Sequence, residues 1–522
     1  MPARLLCAAV AGLAAGLAFE PLRLVALLPL AVAALALSCR GATPRGGFLV
    51  GSVFGTAFML TLLPWLQVIG TDAWILLSLV EGLFYGLLGL GTALVVRLPW
   101  WPVWSACLWV LVELLRGSLP FGGFPWGRLA FATVDTPVQQ LFPLTGAAGA
   151  TFAVALLGST LAWAVTVVRR APVRAAAGVL VACLVATAGA WLAPLTGTTT
   201  AAAATTGADG EGPGLRVTAV QGDVPGEGMD AFAERRAVLD NHVRTTERYA
   251  ERLTGTAPRP DLVVWPENST DIDPFQDPTV YDDIQGAVDA VGVPVLVGAM
   301  VSGDEPEDVL NQGIVWEPGN GPTQRYSKTH PVPFGEYIPF RDVVARFFSR
   351  LDQVPRDMVP GDTPGLLEVA GSTVGDVICF EVAYDDVVRD VAAGGADLLV
   401  VQTNNATYMG TGQIEQQFAI SRLRALETNR SVVVAATNGV SGIVAPDGEV
   451  VERAPVRSPA TLSAWVPFPG GTTPGVRWGL LLELLTSLVA AGSVSVALGL
   501  HYRHRRTTGS TREPVAAGTG EG

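Results

Sequence analysis

Three side chains suited to nucleophilic acyl chemistry occur along this 522-residue chain in the order Glu267, Lys328, Cys379. Cys379 closes an apolar run in Val374-Gly375-Asp376-Val377-Ile378-Cys379-Phe380-Glu381. Glu267 directly follows Val263-Val264-Trp265-Pro266, and Lys328 stands in Tyr326-Ser327-Lys328-Thr329-His330. A thiol attacks a carbonyl as its thiolate, and a free cysteine with a pKa of about 8.5 is mostly protonated at neutral pH. It needs a base or a cation beside it. The four histidines are poor bases here: His501 and His504 lie past the last apolar stretch, His242 lies in a polar helical stretch, and His330 alone is near a motif. A carboxylate serves instead if partial burial raises its pKa, and Glu267 is placed for that role. Lys328 supplies a fixed cation for the oxyanion formed on addition; near Cys379 it would also depress the thiol pKa. Glu336, in Pro333-Phe334-Gly335-Glu336-Tyr337, is the candidate to hold that ammonium.

Singly, each has an ordinary explanation: a glutamate capping a strand end, a solvated lysine, a packed cysteine. What joins them is the texture of the chain around them. Short β-branched runs recur at Leu215–Gln221, Asp261–Trp265, Pro294–Gly298, Val374–Phe380, Asp397–Gln402, Ser431–Thr437 and Ser441–Ala445. Polar helical stretches at 230–254, 281–291 and 412–430 separate some of them. Strands alternating with helices predict a layered α/β domain over 214–468, with enough strands for two sheets. Reactive side chains collect at strand ends in such domains.

The rest of the chain is a different material. With 49% apolar and only 16% charged residues, and a mean hydropathy of +0.39, it departs from the roughly 25% charged residues of a soluble domain. Apolar stretches near 4–20, 22–39, 47–68, 74–97, 101–117, 145–168, 173–194 and 477–500 predict about eight crossings of a bilayer, about seven of them in 1–194. Arg4, Arg40, Arg45, Arg97, Arg169, Arg170 and Arg174 fall at the N-terminus and in alternate loops, and the tail carries Arg503, Arg505 and Arg506. By the positive-inside rule these face the cytoplasm, so parity puts the 214–468 domain outside. Residues 118–144 are expected to form an interfacial loop that guides a lipid. Residues 195–213 are expected to be a flexible tether and 501–522 a disordered cytoplasmic tail. A net charge of −13 argues against nucleic acid as a partner. Cys7, Cys39, Cys107 and Cys183 lie in apolar stretches and are expected to be buried; with no CxxC pair, no structural metal is expected.

Trp265-Pro266-Glu267, Tyr326-Ser327-Lys328 with Pro331-Val332-Pro333-Phe334-Gly335-Glu336, and Cys379-Phe380-Glu381 resemble the three catalytic blocks of the nitrilase superfamily. The chain with its spans resembles that superfamily's membrane-embedded branch, the apolipoprotein N-acyltransferase family. Phe124-Pro125-Trp126, Pro333-Phe334-Gly335-Glu336-Tyr337 and Arg422-Leu423-Arg424-Ala425-Leu426-Glu427 are similar to that branch in particular. The resemblance implies an α-β-β-α sandwich with Glu267 as base, Lys328 as oxyanion stabiliser and Cys379 as nucleophile. Glu336 would support Lys328, and Phe380, Glu381, Asn405 and Tyr408 would support or line the site. Asn404-Asn405-Ala406-Thr407-Tyr408 and Gln417 depart from the family's usual residues, which touches the pocket rather than the triad.

The implied reaction is ping-pong. A phospholipid acylates Cys379, and the amine of an S-diacylglyceryl-cysteine at an apolipoprotein N-terminus then takes the acyl chain. No cofactor is called for, a monomer is expected, and the location is the bacterial cytoplasmic membrane. The rival is a membrane-anchored amidase using the same triad. A transporter would instead use intramembrane acids such as Glu81, Glu113 and Glu483.

Overall fold

The structure, a computed structural model, describes residues 1–192, 212–224, 235–253, 258–305, 308–344 and 356–509. All but the end of the expected tether at 195–213 lies outside these residues, as does 510–522 of the expected tail. The N-terminal part is helical: α1 Pro2–Gly16, α2 Leu27–Cys39, α3 Pro44–Leu62, α4 Thr71–Val95, α5 Trp101–Ser118, α6 Phe142–Val167, α7 Pro172–Ala186 and the short α8 Ala188–Leu192. Among the described residues, Pro44–Leu62, Thr71–Val95, Pro137–Val167 and Pro474–Arg503 are helical stretches long and apolar enough to cross a membrane, while α1, α2 and α7 are apolar but shorter. Helices α3 and α4 meet through small residues. A Cβ on Gly51 would lie 2.1 Å from the main-chain oxygen of Tyr85, so the backbones approach as closely as glycine permits. Leucines such as Leu6, Leu76 and Leu83 stay on the outside of the bundle. So do Cys7 and Cys183, which are exposed, whereas Cys39 and Cys107 are buried as expected. An apolar residue on the outer face of such a helix needs no protein partner.

The second part is a sandwich. Its strands are β1 Gly214–Gln221, β2 Leu262–Val264, β3 Val295–Ser302, β4 Asp308–Glu317, β5 Gly321–Ser327, β6 Asp357–Met358, β7 Leu366–Val369, β8 Ser372–Ile378, β9 Leu398–Thr403, β10 Val432–Ala436, β11 Gly442–Val444, β12 Val450–Arg453 and β13 Ala460–Pro467. They form one sheet ordered β13-β1-β2-β3-β4-β5, with β6 on β4, and another ordered β12-β11-β10-β9-β8-β7. The chain returns to the first sheet through β13, antiparallel to β1 with Val217 opposite Ala464.

Period-2 alternation sorts the side chains into layers. Leu262, Val264, Leu296, Val374, Ile378, Leu398 and Val400 fill the space between the sheets. Val263, Val295 and Val297 face outward onto α9 Arg235–Arg252 and α10 Pro278–Val291. On the other sheet, Val377, Leu399 and Val401 face α12 Asp385–Ala393 and α13 Gln413–Thr428. That layer's apolar core is continuous with the helical bundle, so α12 and α13 are packed on both sides. A single turn, α11 Arg341–Val344, precedes residues outside the description, and α14 runs over Pro474–Gly509, beyond the expected end near 500.

Each expected run is a strand to within a few residues. The strands not anticipated, β4, β5, β6, β7, β12 and β13, mix polar with apolar residues because one face or edge meets water, as in the Gly321–Ser327 sequence.

Candidate active site

β2, β5 and β8 each end beside one chemical group. Glu267 follows β2 after Trp265-Pro266; Lys328 follows β5; Cys379 follows β8 at φ 55, a left-handed conformation uncommon for a side chain with a Cβ. Tertiary packing brings them together. Lys328 Nζ donates to Glu267 Oε1 at 3.2 Å and to Glu336 Oε1 at 2.6 Å. Lys328 is 1% exposed, so its charge is solvated by those carboxylates rather than by water. Burial alone would drive its proton off, but Glu267, Glu336 and the nearby Cys379 and Glu381 outweigh this and hold its pKa well above the usual lysine range. Glu336 is anchored by the Val332 N–H at 2.7 Å. Burial raises the Glu336 pKa, against the pull of Lys328.

Glu267 has three donors: Lys328, Asn311 Nδ2 at 2.7 Å, and the Asn404 N–H, which meets its second oxygen at 2.8 Å. The Cys379 thiol is held more lightly. Thr403 Oγ1 reaches Sγ at 3.3 Å and Gln417 Nε2 at 4.0 Å. Its pKa is pushed up to about 12, by burial first and the Glu267 carboxylate next, with Lys328 and Thr403 pulling the other way. Lys328 does pull the thiol pKa down, as expected, but burial and Glu267 outweigh it. The ammonium is already neutralised by two carboxylates, so the resting sulfur keeps its proton.

Glu381 acts as a pin. It accepts from Tyr326 Oη at 3.0 and 2.9 Å, from the Thr329 N–H at 2.7 Å and hydroxyl at 2.9 Å, from the His330 N–H at 3.0 Å, and from the Ile378 N–H at 2.8 Å. It thereby ties the Lys328 loop to the Cys379 turn. Asn405 accepts from Thr403 Oγ1 at 2.6 Å and donates to Gln413 and Gln417 at 2.8 and 3.1 Å, a network that fixes the hydroxyl touching sulfur.

The bundle supplies the opposite wall. Phe380 stacks between Trp126 and Phe124, with ring centroids at 5.1 and 5.7 Å, and Tyr408 meets Trp65 edge-on at 5.3 Å. Trp65 and Trp126 both donate to Gln416 Oε1 on α13, at 3.2 and 2.7 Å. Within residues 118–144, expected to form an interfacial loop, 125–134 are buried in this seam while 118–122 are exposed. Arg128 is the reason. It pairs with Asp385 at 2.6 Å, Glu483 at 3.1 Å and Glu113 at 3.4 Å, tying the loop to α12, α14 and α5 at once. Arg424 adds Asp385 and Glu427, and Glu427 accepts the Ala147 N–H where Gly146 interrupts α6. Glu81 pairs with Arg116. All three acids that a transporter reading would use are ion-paired.

The structure brings Glu267, Lys328, Cys379, Glu336, Phe380, Glu381, Asn405 and Tyr408 together in one cluster. Asn311, Thr403, Trp65, Gln416 and Tyr326 were not singled out. Asn311 lies in a strand not foreseen, and Trp65 and Gln416 are 351 residues apart. The Phe124-Pro125-Trp126 motif was the available signal for the wall.

Comparison with known proteins follows the same division. The apolipoprotein N-acyltransferase N-terminal domain matches residues 11–160, and the carbon-nitrogen hydrolase domain matches 216–469. An apolipoprotein N-acyltransferase from Mycolicibacterium smegmatis is 38% identical over 95% of this chain and 84% of its own length. One from Chromobacterium violaceum is 28% identical over 96% and 94%. Among solved structures, an amidase from Nesterenkonia sp. is similar over 51% of this chain and 94% of its own, at 17% identity and a TM-score of 0.38.

Proposed function

This chain belongs to the apolipoprotein N-acyltransferase family, an acyltransferase of lipoprotein N-acylation, and from that premise we propose a two-step mechanism on Cys379 with a membrane phospholipid as donor. Glu267 accepts the Cys379 proton as the ester carbonyl arrives. The thiolate adds, and the oxyanion is stabilised by the Lys328 ammonium. Collapse breaks the acyl ester bond, and the departing lysophospholipid oxygen takes the proton from Glu267, leaving an acyl thioester. The free amine of the diacylglyceryl-modified cysteine then adds to the thioester, Glu267 accepts its proton, and the thiolate leaves and is reprotonated.

A thiol pKa near 12 fits this cycle. The sulfur stays unreactive toward water-borne electrophiles, and its proton transfers to Glu267 only as addition proceeds. The observation that carries the reading is the sandwich of Phe380 between Phe124 and Trp126, because the residue after the nucleophile packs on the membrane bundle itself. Drawing an acyl chain far into water costs about 0.8 kcal/mol per CH₂, and a site seated on the bundle avoids that. A water-soluble amide substrate needs no such wall.

Eight crossings, with the arginine-rich loops cytoplasmic and the sandwich outside, complete the proposal. The shorter α1, α2 and α7 span by local thinning of the bilayer, and α5 is the remaining crossing. A monomer holds a full set of the named groups.

The test is intact mass after incubation with phospholipid alone. The expected product is one added acyl chain on Cys379, released by hydroxylamine. Transfer to a diacylglyceryl peptide without such an adduct would sink the two-step mechanism.

A further inference from the structure

Asp376 lies on β8, three residues before Cys379, fully buried, and beyond the adjacent Val377 N–H, which it meets at poor geometry, neither carboxyl oxygen has a hydrogen-bond partner among the described residues. On neighbouring β9, the side chain of Gln402 is equally buried and its Oε1 is likewise without a partner. The β8–β9 register sets Asp376 beside Val400 and Ile378 beside Gln402. Ile378 and Val400 belong to the inter-sheet core, so all four side chains project between the sheets. Opposite them on β4 is Gly313. A Cβ there would lie 1.9 Å from Asp376 Oδ2 and 2.7 Å from Gln402 Oε1, so both oxygens occupy the space that the glycine leaves.

The orientation of the Gln402 amide is settled by its other end. Nε2 donates to the main-chain oxygen of Trp265 at 2.6 Å, and a carbonyl can only accept. Oε1 therefore faces the Asp376 side. Two oxygens without a proton between them repel in a dry core, and each keeps its desolvation penalty. One proton on Asp376 removes both costs, because its O–H donates to Gln402 Oε1. Burial, with the Glu381 and Glu267 carboxylates, raises the Asp376 pKa well above the usual range, against the Val377 N–H. Tyr326 on β5 is the other titratable group whose electrostatics involve Asp376.

We infer that Asp376 is a positioning residue: it carries a proton donated to Gln402, and the Asp376–Gln402–Trp265 strut sets the Cys379 strand against the Glu267 strand. Trp265 is two residues before Glu267. Gln402 precedes Thr403, whose hydroxyl meets the Cys379 sulfur, and Asn404, whose N–H holds Glu267. Movement of one amide thus displaces both groups. The inference rests on the roles proposed above for Glu267 and Cys379, but its first test does not.

That test is infrared spectroscopy of the full-length protein in an ester-free detergent. The wild-type minus Asp376→Asn difference spectrum at neutral pH is expected to contain a protonated-carboxyl C=O band. A difference spectrum without that band overturns the inference whatever the nucleophile is. The second test is transfer to a diacylglyceryl peptide. Asp376→Asn, whose amide can donate to Gln402, should stay within about threefold of wild type, and Asp376→Leu should lose about tenfold or more in kcat with little change in KM. Wild-type activity should also fall at alkaline pH as Asp376 ionises, and Asp376→Asn should lack that limb. Equal loss in Asn and Leu variants, or superimposable pH profiles of wild type and Asp376→Asn, overturns the strut.

Discussion

The Glu267–Lys328–Glu336 centre and the seam built on Arg128 and Arg424 bury the same kinds of charge and do opposite things with them. In the seam each guanidinium has several fixed partners. Arg128 meets Asp385, Glu483 and Glu113, and Arg424 meets Asp385, Glu427 and the carbonyls of Val382 and Ala383. Planar, multidentate arginine suits a clamp whose parts come from different elements. In the centre the cation is a lysine, a point charge shared by two carboxylates, and the group beside it, the Cys379 thiol, has among the described residues only a hydroxyl at 3.3 Å and an amide at 4.0 Å. One cluster is closed on itself; the other leaves a sulfur loosely held. Buried charge becomes chemistry where a reactive atom is left with weak partners.

The largest effect expected from breaking that contrast is at the sulfur. Cys379→Ala and Cys379→Ser should abolish transfer to a diacylglyceryl peptide while leaving the thermal midpoint in detergent close to wild type. Lys328→Met comes next, with kcat lower by about 10²–10³-fold through loss of oxyanion stabilisation. Arg128→Met should act mainly on stability: Asp385, Glu113 and Glu483 are left buried and underpaired, at a cost of about 3–5 kcal/mol read from denaturation in detergent. Should Arg128→Met instead lower kcat as far as Lys328→Met with unchanged stability, the distinction between clamp and centre is wrong.

Two smaller measurements sharpen it. Alkylation of Cys379 should keep accelerating beyond pH 10, since burial and Glu267 push its pKa up to about 12; a plateau near pH 8.5 would mean a resting thiolate. The smallest effect concerns His330, whose Nε2 meets Asp386 at 3.3 Å at the rim. The His330 pKa is raised: burial opposes the charge, but the hydrogen bond to Asp386 and its carboxylate outweigh this. The Asp386 pKa is lowered by His330, against burial. A raised histidine contributes stability at and below its unfolded pKa and loses it as pH rises through the folded one. The lowered aspartate contributes above its unfolded pKa and loses it toward acid, so the pair acts only in the window between. Asp386→Asn should therefore cost about 0.5 kcal/mol at pH 5.5, since solvent screens the pair, and almost nothing at pH 8, by thermal unfolding at both.

Glu267, Lys328, Cys379 and Glu336 were legible because each sits in a short, unusual sequence beside a strand, and local sequence encodes strand ends. Asn311, Thr403 and Asp376 were not, because their meaning depends on which strand lies opposite. Gly313 looks like any strand glycine until Asp376 and Gln402 are seen filling its space. What residues 125–134 pack against was not legible for a related reason. Gly, Pro and aromatic residues suit a bilayer surface as well as a packed seam, and only the partners of Arg128 and Trp126 separate the two.

By itself the sequence determined the division into an apolar helical part and an α/β part, the order of the strand-end groups, and the residue types able to do acyl chemistry. These follow from hydrophobic period and local turn chemistry, which need no distant partner. The tertiary structure decided the protonation of Cys379, the double carboxylate hold on Lys328, the bundle's aromatic wall against Phe380, and the buried proton expected on Asp376. Those depend on desolvation and on contacts between residues tens to hundreds of positions apart, which only packing brings together.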